Sequence, residues 1–162
     1  VSRAVLSLGA NLGDRLAALR TAVALLAGSV TVDAVSPVYE TAPVGGPDQP
    51  DYLNAVVLVT TSLPPPALLA LAHAVESAAG RERAERWGPR TLDVDVIAYD
   101  DLVSDEPALT LPHPRAHERA FVLRPWLDVD PAAALPGRGP VAALLAAAGG
   151  EVRRRDDLAV PA

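Results

Sequence analysis

The chain has 162 residues, half of them hydrophobic and about a fifth charged, which fits one soluble globular domain with its own core. Its formal net charge is −6 and all fourteen basic residues are Arg, which argues against a generic nucleic-acid surface. With no cysteine there is no disulfide framework or thiolate metal site, and His73, His113 and His117 show no zinc spacing. No apolar run approaches the ~20 residues of a membrane helix. Residues 4–8 are too short for the apolar region of a signal peptide, so a cytoplasmic protein is expected.

Residues 4–8 read as a buried strand, followed by Gly9-Ala10-Asn11-Leu12-Gly13-Asp14. Such a turn can be purely structural or can cradle phosphate, and it matches neither a dinucleotide fingerprint nor a Walker loop. Asp14 suits a helix N-cap, Leu16, Leu19, Val23 and Leu26 keep helical spacing to about residue 27, and Gly28 stops the helix. Residues 30–39 are rich in β-branched side chains and predict a second strand, with Pro37 marking an edge or a bulge. The connection 40–51, with three prolines and two glycines, has the length of a functional lid. Residues 52–62 predict a third strand with Leu53, Ala55, Val57 and Val59 on one face and Asn54, Val56 and Leu58 on the other. Asn54 reads equally as an amide satisfied by backbone or as a ligand contact. A helix then starts at prolines 64–66 and buries Leu68, Leu71, Ala72, Val75 and Ala79. Glu76 lies near its C-terminus, against the macrodipole, which suggests either a specific partner or a surface pairing with a nearby arginine.

The stretch 80–97, GRERAERWGPRTLDVDVI, carries the chemistry. Its first half holds four arginines, two glutamates and Trp87 and closes with Gly88-Pro89, which is loop composition. Its second half alternates as a half-buried strand, residues 91–99. Alternation puts Asp93 and Asp95 on one face with Cα atoms roughly 6.6–7 Å apart. Two carboxylates so close repel unless a cation lies between them, and Mg²⁺ suits oxygen ligands shared with phosphate. Arginines grip phosphate bidentately, so the pair and the loop together suggest a nucleotide-phosphate site. The plain reading is a solvated strand face beside a salt-bridged loop.

The order to this point, β-α-β-β-α-β, predicts an α+β, ferredoxin-like antiparallel sheet with helices on one face. Beyond it, residues 109–111 read as a short strand, 112–115 as a turn into a short helix with Glu118 and Arg119, and Phe121-Val122-Leu123 as apolar core. Residues 125–140 are punctuated by Pro and Gly, 141–148 form a short Ala-rich helix, and 151–157 form a charged, solvated tail. One domain spanning 1–162 is expected.

The string RWGPRTLDVDVI resembles the signature of the 6-hydroxymethyl-7,8-dihydropterin pyrophosphokinases. The resemblance extends to SLGANLGDR (7–15), SPVYET (36–41), DQPDYLNAV (48–56) and LPHPRAHERAFVLRP (111–125). It implies transfer of diphosphate from ATP to the hydroxymethyl group of a reduced pterin, in folate biosynthesis; a monomer without nucleic-acid or membrane partners is expected. It implies two Mg²⁺ ions on Asp93 and Asp95, and phosphate contacts from Arg81 and Arg90. Glu76, Arg83, Val96, Thr110, His113 and Arg119 would serve ATP. Thr41, Pro43, Val44, Tyr52, Asn54, Trp87 and Phe121 would form the pterin pocket, with the aromatics stacking on the ring. His73, Ala108 and Pro114 depart from the residues of some members. A non-catalytic ferredoxin-like module binding a small ligand is the alternative; it would need neither the carboxylate pair nor the arginine loop. An RNA-binding domain of that fold would want exposed aromatics and a basic face, which this composition lacks.

Overall fold

The computed structural model describes residues 1–43, 50–81 and 92–162, with residues 80 and 81 described by backbone alone. The first strand, β1 (Ser2–Ala10), extends beyond its apolar core and buries Leu6, Leu8 and Ala10. Helix α1 (Arg15–Ala27) begins at Asp14, whose Oδ1 accepts the Ala17 N–H at 3.0 Å, and buries Leu19, Ala22, Val23 and Leu26.

The single strand expected over 30–39 is instead two, β2 (Thr31–Val35) and β3 (Tyr39–Thr41). Pro37 has no N–H to give a ladder. Ser36 bridges the break: its N–H donates to Val56 O at 2.9 Å and its Oγ accepts the Val56 N–H at 2.8 Å. Both short strands run along β4 (Tyr52–Thr61). Helix α2 (Pro65–Arg81) buries Leu68, Ala72, Val75 and Ala79 and leads to β5 (Leu92–Tyr99). The sheet order is β10–β3–β4–β1–β5, with β2 also on β4, and every pairing is antiparallel.

After β5 come the hairpin β6 (Ser104–Glu106) and β7 (Leu109–Leu111), a 3₁₀ turn at Ala116–Glu118 and α3 (Ala120–Val129). A small hairpin, β8 (Ala134–Leu135) and β9 (Gly139–Pro140), precedes α4 (Val141–Ala147), and β10 (Arg153–Arg154) follows. Helix α3 runs through Pro125, where irregular chain was expected. Burial of Val122, Leu123 and Trp126 offsets the ~3 kcal/mol a helical proline costs.

The expectation of helices on one face needs correction. α1 and α2 cover one face through Leu19, Val23, Leu26, Leu68 and Val75. α3 and α4 close a second cluster on the opposite face with Val56, Ile97 and Ala98 of the sheet. A bulge in the β1–β5 pairing, between Val5 and Leu6, puts Ile97 and Ala98 in that same cluster, which is where the alternation of β5 ends. The charged segment expected over 151–157 is largely exposed, as expected, but it is held in place: β10 pairs with β3, and beyond the segment Val160 is buried in the first core. No described helix is long and apolar enough to cross a membrane.

Candidate active site

Strand register builds the site. Gly9 of β1 faces Asn54 on one side and Asp93 on the other, and Ser7 likewise faces Val56 and Asp95. These residues therefore lie in two adjacent rows on the second face, Val56 under the part that α3 and α4 cover and the others at its margin. Of these, Ser7, Gly9, Asn54, Asp93 and Asp95 line a cavity of about 560 Å³ together with Thr41, Pro43, Tyr52, Arg115, Glu118, Arg119 and Phe121. A smaller cavity, about 220 Å³, is lined by Asp95, Val96, Thr110 and His113, and also by His73, Ala108 and Pro114. Asp95 borders both.

Gly9 keeps the floor open between Asp93 and Asn54. A Cβ there would come within 3.3 Å of Asn54 Oδ1 and 3.6 Å of the Tyr52 ring. Asn54 is almost fully buried, and its Nδ2 donates to Thr41 Oγ1 at 2.8 Å, so one side of the amide is fixed by protein while the residue lines the cavity. Burial, reinforced by the charge of Asp93, raises the Tyr52 phenol above its ordinary pKa. His113 is held below its ordinary pKa, chiefly by burial; Asp95 opposes this, and Arg119 and Arg115 add to it. The His113 N–H donates to Ile97 O at 2.9 Å, tying the turn to β5. The Arg119 guanidinium lies 5.5 Å from the centroid of the Phe121 ring, a cation–π distance. Glu76 accepts the Val94 N–H at 3.0 Å and so braces the strand that carries both aspartates.

Among the described residues no group hydrogen-bonds the Asp95 carboxylate, and no cluster of three or more His, Cys, Asp or Glu forms a metal cage. A hard divalent cation that takes its other ligands from phosphate and water needs only such a carboxylate pair, so the donor set fits Mg²⁺.

Residues 5–131 match the family model described as 7,8-dihydro-6-hydroxymethylpterin-pyrophosphokinase (HPPK). The chain belongs to the HPPK family. It is 48% identical over 159 residues to the 2-amino-4-hydroxy-6-hydroxymethyldihydropteridine pyrophosphokinase of Mycobacterium tuberculosis, covering 90% of this chain and 84% of that protein. The Bacillus subtilis protein of the same description is 47% identical over 128 residues, covering 78% and 77%. Among solved structures, an HPPK-DHPS in complex with substrates aligns at a TM-score of 0.72 and 12% identity, over 90% of this chain and 43% of that one. Wild-type Plasmodium falciparum HPPK-DHPS aligns at 0.68 and 14%, over 90% and 44%. This chain spans under half the length of those two chains, and at that identity the likeness is one of fold.

Within this HPPK family frame, the structure brings together Asp93, Asp95, Thr41, Pro43, Tyr52, Asn54, Arg119 and Phe121 around the larger cavity. Val96, Thr110 and His113 gather with Asp95 around the smaller one. Val44, Arg83, Trp87 and Arg90, and the side chain of Arg81, lie outside the described residues. The sequence reading missed Ser7, Gly9, Arg115, Glu118 and residues 149–152, all of which line the larger cavity. Gly9 and Ser7 stood in the quoted string SLGANLGDR; residues 149–152 carried no local signal.

Proposed function

We propose that the chain transfers diphosphate from ATP to the hydroxymethyl oxygen of 6-hydroxymethyl-7,8-dihydropterin, in the folate pathway. The observation that carries this reading is Asp95, one carboxylate bordering two cavities of different character. The larger has the Asn54 amide, the Tyr52 phenol and Phe121, a set suited to a flat polar heterocycle. The smaller, with Thr110 and His113, suits the nucleotide. The two substrates then meet at the carboxylates. The substrate hydroxyl loses its proton and its oxygen bonds to the β-phosphorus, while the bond from that phosphorus to the α-phosphate oxygen breaks and AMP leaves.

Asp93 and Asp95 would hold two Mg²⁺ ions, which when bound supply charge neutralisation across the phosphates. Arg115 and Arg119 stand on the same cavity and add cationic donors for the transferred group. Asn54 and Gly9 set how closely the ring approaches the strand backbone. Catalysis in this reading rests on positioning and preorganised charge more than on a general base. We read the β1–α1–β2–β4–α2–β5 order as a ferredoxin-like frame, the 162 residues as one catalytic domain, and the protein as a cytoplasmic monomer that binds no nucleic acid.

The test is product identity. With Mg²⁺, ATP and the hydroxymethyl pterin, AMP is expected, and only when the pterin is present. ADP in its place would make the chain a simple phosphotransferase and sink the proposal.

A further inference from the structure

Residues 149–152 line the larger cavity although they lie beyond the stretch 5–131 that the family model matches. They form a strap pinned at both ends. Upstream, α4 packs into the second cluster through Val141, Leu144 and Leu145. Downstream, β10 pairs with β3, the Arg155 N–H donates to Val38 O at 2.8 Å, and Val160 is buried in the first core.

A charge cluster locks the strap onto the pocket floor. Glu40 Oε2 accepts Arg15 Nη1 at 2.7 Å, and Glu40 Oε1 accepts Arg153 Nη2 at 2.9 Å and Arg155 Nη1 at 3.1 Å. Arg153 also donates to Asp51 Oδ2 at 2.9 Å, and Arg15 to Asp51 O at 2.8 Å. The Glu40 side chain is only 12% exposed, so its charge is less screened than that of an ordinary surface pair. Glu40 and Asp51 each adjoin a residue that lines the cavity, Thr41 and Tyr52. One carboxylate thus joins two C-terminal guanidiniums to the strand ends that floor the pocket.

The strand order fixes which end of a ligand the strap meets. Asp93 and Asp95 are on β5, and β10 is four strands away, about 19 Å at ~4.8 Å per strand spacing. A pterin in the larger cavity with its hydroxymethyl group at the aspartates would point its ring toward the strap side.

We propose that residues 149–152 form the ring-end wall of the pocket, with half-buried Val152 as a specificity-determining contact and Glu40 as the positioning residue that clasps the wall through Arg153 and Arg155. This rests on the pterin reading above. It makes the C-terminal segment part of substrate selection at the heterocycle and leaves the phosphate end to β5 and the 3₁₀ turn.

The test uses the full chain with Val152→Phe and Glu40→Gln beside wild type. AMP formation gives KM for each substrate, and calorimetry gives affinity for the pterin and for a non-hydrolysable ATP analogue. Val152→Phe is expected to weaken pterin affinity and raise pterin KM about tenfold, a change of one decade in the dissociation constant, with ATP-analogue affinity held. Glu40→Gln should move the same quantities in the same direction by a smaller factor, and Glu40→Asp should recover part of the loss. Pterin affinity unchanged in both variants, with wild-type AMP formation intact, overturns the strap and leaves the reaction standing. A loss shared equally by pterin and ATP analogue, or confined to kcat, gives these residues a folding role and also overturns it. Wild-type protein that neither binds pterin nor makes AMP removes the underlying reading and the strap with it.

Discussion

The second face of the sheet is two regions built on the same strands. At one end Val5, Val56, Leu58 and Ile97 pack under α3 and α4. A few residues along those strands, Gly9, Asn54, Asp93 and Asp95 line an open cavity. Pairing is continuous between them. What differs is cover: α3 has ten residues and is about 15 Å long, while nine-residue β1 spans about 30 Å. Alternation decides which face a strand residue joins, and the length of the covering helix decides whether it serves the core or the site. Two carboxylates two residues apart are tolerable only on the uncovered half, where water or a cation can meet them.

The sharpest way to break this contrast is Asp95→Ala. No described group hydrogen-bonds its carboxylate, so the thermal midpoint should hold while kcat falls by about 10²–10³, the scale of losing one preorganised charge-stabilising group. A folded variant with near-normal turnover would remove Asp95 from the chemistry. The mirror experiment is Leu123→Ala on the covered half. Leu123 is fully buried, so urea melts should show a loss of about 2–5 kcal/mol, with the pterin affinity of the folded protein retained. An affinity loss as large as the stability loss would mean the halves are not separable.

Gly9→Ala probes the boundary. Its added methyl meets Asn54 Oδ1 at 3.3 Å, so the amide must shift by tenths of an ångström. Pterin KM should rise several-fold while stability changes by less than about 1 kcal/mol, and unchanged pterin KM would show that Asn54 yields freely.

The smallest expected effect is an acid one. The hydrogen bond from Arg15, aided by Arg155 and opposed by burial, holds the Glu40 carboxyl below its ordinary pKa. A lowered folded-state pKa contributes stability that is fully present above the unfolded value of about 4.3 and is lost as pH falls through the folded value. Wild-type stability should therefore fall more steeply than that of Glu40→Gln below about pH 4, with parallel curves above about pH 5. Parallel melts throughout would separate Glu40 from the acid response.

Local rules carried the sequence reading a long way. The alternation Leu92, Asp93, Val94, Asp95 placed both aspartates on one face, and the Asp14 cap and the spacing to Leu26 located α1. The failures were non-local. Pro125 reads as a breaker because its cost is local, whereas the burial of Trp126 and Leu123 depends on a sheet formed earlier in the chain. Arg153 reads as tail because its partner Glu40 is 113 residues away. Gly9 looked like a turn glycine, since the need for an absent side chain appears only once Asn54 stands opposite it. The strand expected over 30–39 split because Ser36 could supply the bond to Val56 that Pro37 could not.

The bond from Val94 to Glu76 has a consequence for the molecule among its own copies. β5 is the last strand of the sheet, and an open edge invites another chain to add itself as a further strand. At Val94 the outward N–H is already taken by a carboxylate, so an arriving strand would meet negative charge where it needs a donor. On the opposite side the sheet ends in the two-arginine strand β10, and β2, which pairs only β4, is a further edge strand. The glutamate that braces the aspartate strand thus also occupies the bonding position that an added strand would need at Val94.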